Sequence, residues 1–274
     1  MRPGSAALRE RDRASRRSHR PRSAARSAIP AAPPPSAGVV YRGDRWWVFD
    51  KPAGLSLATP ARDPGAAAAR LRACLAPADR TDLEGRDLLL VHRLDVGTTG
   101  LLLVALDEDA HRALADRFAR RAVEKTYLAL VWGRPRPGSG EWSLALAPDR
   151  ADRRRMKVDP AGRPAVTGYR VLAARHAVAL VELQARTGRT HQLRVHLAAQ
   201  GHPIVGDDLY GGPRHRGVHE PELRRALDPG RPLLHAWKLR LPGETPEIFE
   251  APLPADFRRA LAAAGLPLDF QKIP

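Results

Sequence analysis

The sequence is poor in cysteine, lysine and aromatic side chains, and it has no long apolar run. A single cysteine, Cys74, among 274 residues excludes an internal disulfide and any cysteine-rich metal site, and fits a reducing cytosol. No stretch approaches the roughly 18 consecutive apolar residues of a membrane span. The N-terminus lacks the apolar core of a secretory signal. Acids are scarce as well: 30 Asp and Glu stand against 46 Lys and Arg, for a formal charge of +16. Only five of those bases are lysine, a bias that matches GC-rich coding but does not itself create a positive excess. The excess points to a polyanionic partner, nucleic acid ahead of membrane, because no basic amphipathic helix stands out.

Residues 1–36 carry nine arginines against two acids in a Pro/Ala/Ser background that ends in Pro33-Pro34-Pro35. They show neither helical nor strand periodicity, and a disordered tail is expected. A tail with electrostatic affinity for RNA, an organelle transit peptide and a mis-assigned start codon all fit that composition. The remainder, 37–274, is long enough for one domain with a sizeable core.

Val39–Tyr41 and Trp46–Phe49 flank Arg42-Gly43-Asp44-Arg45 and predict a β-hairpin. Residues 62–86 mix helical pattern with polar loop. Leu88–Val91 and Leu101–Leu106 each have the length of a buried strand. Asp107 suits the N-cap of a helix over Glu108–Arg121, with Leu114 and Phe118 as its apolar pair. Glu124–Trp132 alternates as a strand with Tyr127, Ala129 and Val131 on one face. Glu141–Ala147, Ala165–Leu172, Ala177–Ala185 and Leu233–Leu239 read as further strands. Thr187–Gly201 is ambiguous by period, but its length and punctuation favour a strand-to-helix junction with the helix starting near His191. His191 and Arg194 would then share a face of its first turn. A short helix is expected at 255–264. The pattern is α+β and strand-rich, without regular βαβ alternation.

Between the two apolar runs lies His92-Arg93-Leu94-Asp95-Val96-Gly97-Thr98-Thr99-Gly100, a polar turn held by strands. Asp95-Val96-Gly97-Thr98 superficially matches the aspartic-protease turn. The other Asp-x-Gly steps, at Asp63 and Asp228, lack the hydroxyl that follows, so only a homodimer would supply the second acid. His191 and His196 are five apart, not the four that places two ligands on one helix face. No phosphate-cradling loop and no dinucleotide fingerprint is present. The chemistry is expected to use neither metal nor cofactor.

At His92-Arg93-Leu94-Asp95-x-x-Thr98-x-Gly100-Leu101-Leu102 the chain resembles the RluA-type pseudouridine synthases. Four more blocks follow the order of that family: Lys51-Pro52-x-Gly54-Leu55; Lys125-Thr126-Tyr127-x-Ala129-x-Val131-x-Gly133; Gly188–Leu197 with Gly201–Asp207; and Leu234-His235-Ala236 with Pro242. Together they cover about residues 38 to 258. Thr99 stands where the family usually has Ser, and Arg163 where Lys is common; the hydroxyl and the charge are kept. No S4-type RNA-binding domain is expected before the core.

The resemblance implies the pseudouridine synthase fold, a mixed, mainly antiparallel sheet flanked by helices around a central active-site cleft. It also implies a cytoplasmic, monomeric isomerase that acts on structured tRNA or rRNA. Asp95 would be the catalytic carboxylate, Arg194 the cation that keeps it ionised in a closed pocket, and Tyr127 the ring that stacks on the extruded uracil. Arg93 and His92 would fill the gap left by the flipped base, and Arg189, His191 and Gln192 would contact phosphates or neighbouring bases.

Overall fold

The computed structural model describes residues 37–58, 62–63, 65–243 and 247–269. The segment 1–36, expected to be a disordered tail, lies outside them. The hairpin forms as the alternation predicts: β1 (Gly38–Arg42) pairs antiparallel with β2 (Trp46–Lys51). Two short helices, α1 (Ala66–Ala73) and α2 (Pro77–Asp82), follow.

Leu88–Val91 does not make the buried strand its composition suggests. Only β3 (Leu89–Leu90) pairs, with the far end of β4 (Thr99–Ala105), and it is half-buried. The ladder stops because the next free donor, the Leu103 N–H, goes to His92 Nε2 at 3.0 Å. The imidazole thereby ends the strand and releases the chain into the Asp95 turn. β4 itself is buried along its whole length. Leu102 and Val104 face one apolar cluster with Phe49 and Leu71, while Leu101 and Leu103 face another with Val48 and Leu239.

Asp107 caps α3 (Glu108–Ala119) by accepting the Ala110 N–H at 2.8 Å. The helix stops two residues short of its expected end, because Arg121 turns left-handed at φ 58°. β5 (Glu124–Trp132) has the expected bounds. The strand expected over Glu141–Ala147 divides into β6 (Ser139–Ser143) and β7 (Leu146–Pro148), since Leu146 turns inward to pack with Ala165 and Val195. β7 pairs with β8 (Met156–Val158) as a separate small sheet. Then come β9 (Val166–Arg175), β10 (Val178–Ala185), α4 (Gln192–Ala199), α5 (Pro221–Ala226), β11 (Leu234–Leu241), β12 (Glu247–Glu250) and α6 (Ala255–Ala263).

The main sheet runs β1-β2-β4-β11-β5-β10-β9-β6, with β3 on β4 and β12 on β11. Among the described strands only β4 and β11 pair in parallel. This contact sets the register that matters. Ala236 lies opposite Gly100 on one side and Tyr127 on the other, so Tyr127 sits two strands from the start of β4. Only glycine fits at 100: its φ is 104°, and a Cβ there would lie 2.2 Å from the Ala236 carbonyl oxygen. The architecture is the expected α+β one, with a mixed and mainly antiparallel sheet.

Candidate active-site cleft

A cavity of about 500 Å³ opens where the Asp95 turn, β5 and the N-terminus of α4 meet. All eight side chains that the sequence singled out line it: His92, Arg93, Asp95, Tyr127, Arg189, His191, Gln192 and Arg194. They come from segments a hundred residues apart.

The Asp95 turn is held from behind. The Thr98 N–H closes it onto the Asp95 carbonyl at 3.1 Å. Val96 O accepts from the Gly54 N–H at 2.8 Å and from Lys51 Nζ at 3.3 Å. Lys51 is fully buried and also donates to the Pro52 and Leu55 carbonyls. Burial pulls its pKa down to about 8, against the opposing pull of Asp95. Arg231 donates to Gly97 O at 3.1 Å while its fork grips Asp256 at 2.6 and 2.8 Å. A Cβ at Gly97 would meet the Pro232 ring at 2.8 Å, so the turn packs flush on that segment. Two buried cations thus fix the backbone at Val96 and Gly97, immediately after Asp95.

Arg194 rises from the first turn of α4 and meets Asp95 Oδ2 through Nη1 at 3.4 Å. Its Nε and Nη2 bind the buried Asp207 at 2.6 and 2.8 Å, a two-point grip that sets the plane of the guanidinium. The Tyr210 ring lies 5.0 Å from the guanidinium carbon. The Tyr210 hydroxyl accepts the Met156 N–H and meets His191 Nδ1, both at 2.8 Å. A hydroxyl that already accepts an amide has its proton to give, so Nδ1 accepts it and Nε2 carries the imidazole proton. That nitrogen faces Asp95 Oδ2 at 3.9 Å. Burial pushes the His191 pKa below its ordinary value, against the raising effect of Asp95. The Tyr127 phenol is pushed well above its ordinary value, first by burial and then by the Asp95 charge.

Two of the sequence assignments need correction. Gln192 is buried, and its amide is fully engaged within the chain: Oε1 accepts from Thr187 Oγ1 and Arg189 N–H, and Nε2 donates to Val166 O and Thr167 Oγ1. It braces the loop that carries Arg189 and has no donor or acceptor left for a nucleotide. His92 ends β3 through Nε2 and stacks on Phe118 with ring centroids 4.9 Å apart. Burial drops its pKa to about 3, so it stays neutral as a backbone acceptor, not a base-gap filler. Arg93 is exposed and reaches Thr190 Oγ1 at 3.3 Å, and Arg189 anchors only its Nε, on Pro164 O at 3.2 Å. Both keep N–H groups without a partner among the described residues. Asp207 and Tyr210 went unassigned in the sequence: Gly206–Gly211 reads as a turn, and nothing local says that its carboxylate turns inward.

A profile of the family described as RNA pseudouridylate synthase matches residues 45–199. The chain belongs to that family. It is 38% identical over 208 residues to the dual-specificity RNA pseudouridine synthase RluA of Escherichia coli K12, covering 74% of this chain and 85% of that one. An uncharacterized RNA pseudouridine synthase of Chloroflexus aurantiacus is 46% identical over 176 residues, which make up 63% of this chain and 52% of the relative. The chain thus spans about half the length of that relative and of its mycobacterial counterpart, of which it covers 54%. The solved structure of human RNA pseudouridylate synthase domain containing 4 superposes with a TM-score of 0.67 at 28% identity, over 84% of this chain and 94% of that one. The chain therefore has both the sequence and the fold of that family. Among the described residues no cluster of His, Cys, Asp and Glu is placed to hold a metal, and no helix is long and apolar enough to cross a membrane.

Proposed function

We propose that the chain isomerises particular uridines of structured tRNA or rRNA to pseudouridine, with Asp95 as its catalytic carboxylate. The observation that carries this reading is the contact between Asp95 and Arg194 in a cleft whose other charged lining residues, among those described, are cations. The N-glycosidic bond breaks, uracil rotates, and C5 rejoins ribose C1′. The C5 proton leaves and N1 gains one, so nothing is consumed overall. Asp95 acts as an anion whether it attacks C1′, attacks uracil C6 or removes the C2′ proton, and Arg194 favours that anion in a cleft partly closed to water. Tyr127 offers its ring to the uracil as a protonated phenol.

A base within a helix cannot reach such a pocket, so the nucleotide is flipped out at a loss of a few kcal/mol of stacking. Arg93, exposed at the mouth, is placed to occupy the vacated space, and Arg189 to hold backbone. We take the enzyme to work as a monomer in the cytoplasm, where a lone buried thiol such as Cys74 stays reduced. The competing reading is a catalytically silent RNA-binding protein on the same scaffold.

Mapping of pseudouridines by carbodiimide-dependent reverse-transcription stops separates the two. RNA from a strain lacking the protein is incubated with wild type or with Asp95→Asn. New stops with the wild type alone are expected. An equally empty map from both proteins across all stable RNAs would sink the enzyme reading.

A further inference from the structure

The cleft carries more positive charge than the chemistry above uses. Arg120 is the C-cap of α3, and Arg121 follows it at φ 58°, the position after a helix that chains usually give to glycine. A side chain held there costs about 1 kcal/mol or more. The backbone bonds that close the helix, Arg121 N–H to Phe118 O and Ala122 N–H to Arg117 O, do not depend on which side chain stands at 121. Cations are favoured at a helix C-terminus, but Arg117 and Arg120 already fill that role, bonded to Pro242 O and to Asp116. The Arg121 side chain is exposed, has no hydrogen bond or ion pair among the described residues, and lines the cavity.

Lys125 and Arg189 line the same cavity. Lys125 Nζ lies 5.5 Å from the Phe118 ring centroid, and the two Nη groups of Arg189 have no hydrogen bond among the described residues. After burial, the charge of Arg121 is the next influence that makes Lys125 release its proton more readily, and Arg163 and Arg121 do the same to Arg189. Arg121 thus stands close enough to repel both Lys125 and Arg189. Among the described residues the only carboxylate lining the cavity is Asp95, which already faces Arg194. Three cations from separate segments, one of them on strained backbone, form an arrangement that an anion would relieve.

We propose that Arg121, Lys125 and Arg189 form a phosphate subsite that grips a phosphodiester of the RNA beside the nucleotide presented to Asp95. The guanidinium forks suit two phosphate oxygens at once, and the lysine adds a point charge. The subsite rests on the reading of the cleft as an RNA site and extends it to a residue outside the family blocks. It explains why an arginine occupies a glycine position: the side chain is kept for the ligand at the expense of the fold.

The test is filter binding of unfractionated bacterial tRNA to the full chain over a range of salt. Arg121→Gly keeps the left-handed backbone, Arg189→Ala removes the neighbouring fork, and Arg80→Ala removes one exposed charge from α2, outside the cavity lining. Arg121→Gly should weaken binding about three- to tenfold and lower the slope of log affinity against log salt by about one, with Tm at or above that of the wild type. Because both arginines share one phosphate, the double variant should lose clearly less than the product of the two single losses.

Binding and slope no different from Arg80→Ala would overturn the subsite, as would independent losses in the double variant. A fall in Tm for Arg121→Gly would show the side chain to be structural and would overturn it equally. An empty wild-type pseudouridine map defeats the enzyme reading. A filled map with unchanged Arg121→Gly binding defeats the subsite alone.

Discussion

Arg194 gives its two short contacts to Asp207, at 2.6 and 2.8 Å, and leaves Asp95 a single longer one at 3.4 Å. The buried partner fixes the cation, and the cation in turn faces the half-buried Asp95. In the mechanism we propose, the looser contact leaves Asp95 room to meet a substrate atom without breaking a tight ion pair first. Asp207→Asn keeps the shape of the grip and removes its charge, so the guanidinium is held less firmly. We expect the single-turnover rate to fall about ten- to a hundredfold, with the RNA Kd changed less than about twofold, since small misplacements act on the chemical step. Asp207→Ala should also unfold more easily by about 3 kcal/mol in a denaturant titration, because it leaves a buried cation without its main partner. A normal rate in Asp207→Asn would mean that Arg194 is positioned by α4 alone.

Tyr127 lies beside Asp95 with its phenol held above its ordinary range by burial and by that negative charge. It is therefore neutral at any pH below about 10 and offers a ring, not a phenolate. Tyr127→Phe should keep RNA affinity and leave the alkaline side of the pH–rate profile where it is in the wild type, whereas Tyr127→Ala should lose most of the rate. Loss of an alkaline limb in the Phe variant would show that the hydroxyl titrates during turnover.

Much of this site was legible in the chain because its parts are local. The apolar runs around Asp95 and the alternation around Tyr127 each follow from spacing alone. The helix opening at Gln192 could be placed only by weighing length and punctuation, since Leu193, Val195 and Leu197 suit a strand as well. What could not be read is what depends on distant packing. Leu88–Val91 has the composition of a strand, yet His92 takes the amide that would extend it. Gln192 looks like a polar side chain free for RNA until Thr167 and Val166 are seen to close on it. Asp207 and Arg231 brace the cleft from turns whose local sequence is ordinary.

Gly100 tests the parallel seam between β4 and β11. The Cβ of an alanine there would fall 2.2 Å from the Ala236 carbonyl oxygen and 2.8 Å from its nitrogen, backbone atoms that cannot turn aside. The φ of 104° disfavours any side chain as well. Gly100→Ala should lose about 3 kcal/mol or more in chemical denaturation, or fail to fold, while Gly54→Ala, whose Cβ meets nothing, should lose less despite its own positive φ. Equal losses at the two positions would mean that backbone conformation, not the seam, sets the requirement.

Acid stability should report on the histidine beneath the same seam. His235 is buried, and its Nε2 lies 3.3 Å from Ala251 O, an acceptor only, so that nitrogen carries the proton. Nδ1 then accepts the Thr99 hydroxyl proton at 2.9 Å, and both ring nitrogens are satisfied in the neutral form. Burial lowers its pKa to about 4. The unfolded chain takes up that proton near pH 6.5. Stability from neutral His235 is therefore complete above about pH 6.5 and falls by about 1.4 kcal/mol per pH unit as the pH drops from there to about 4. His92, at about 3, adds a second term of the same sign that persists to lower pH. A series of urea midpoints across this range should show the decline. His235→Gln, less stable at neutral pH, should flatten it by one proton's worth. If the slope is the same in the variant, His235 is protonated in the folded protein and the Thr99 bond runs the other way.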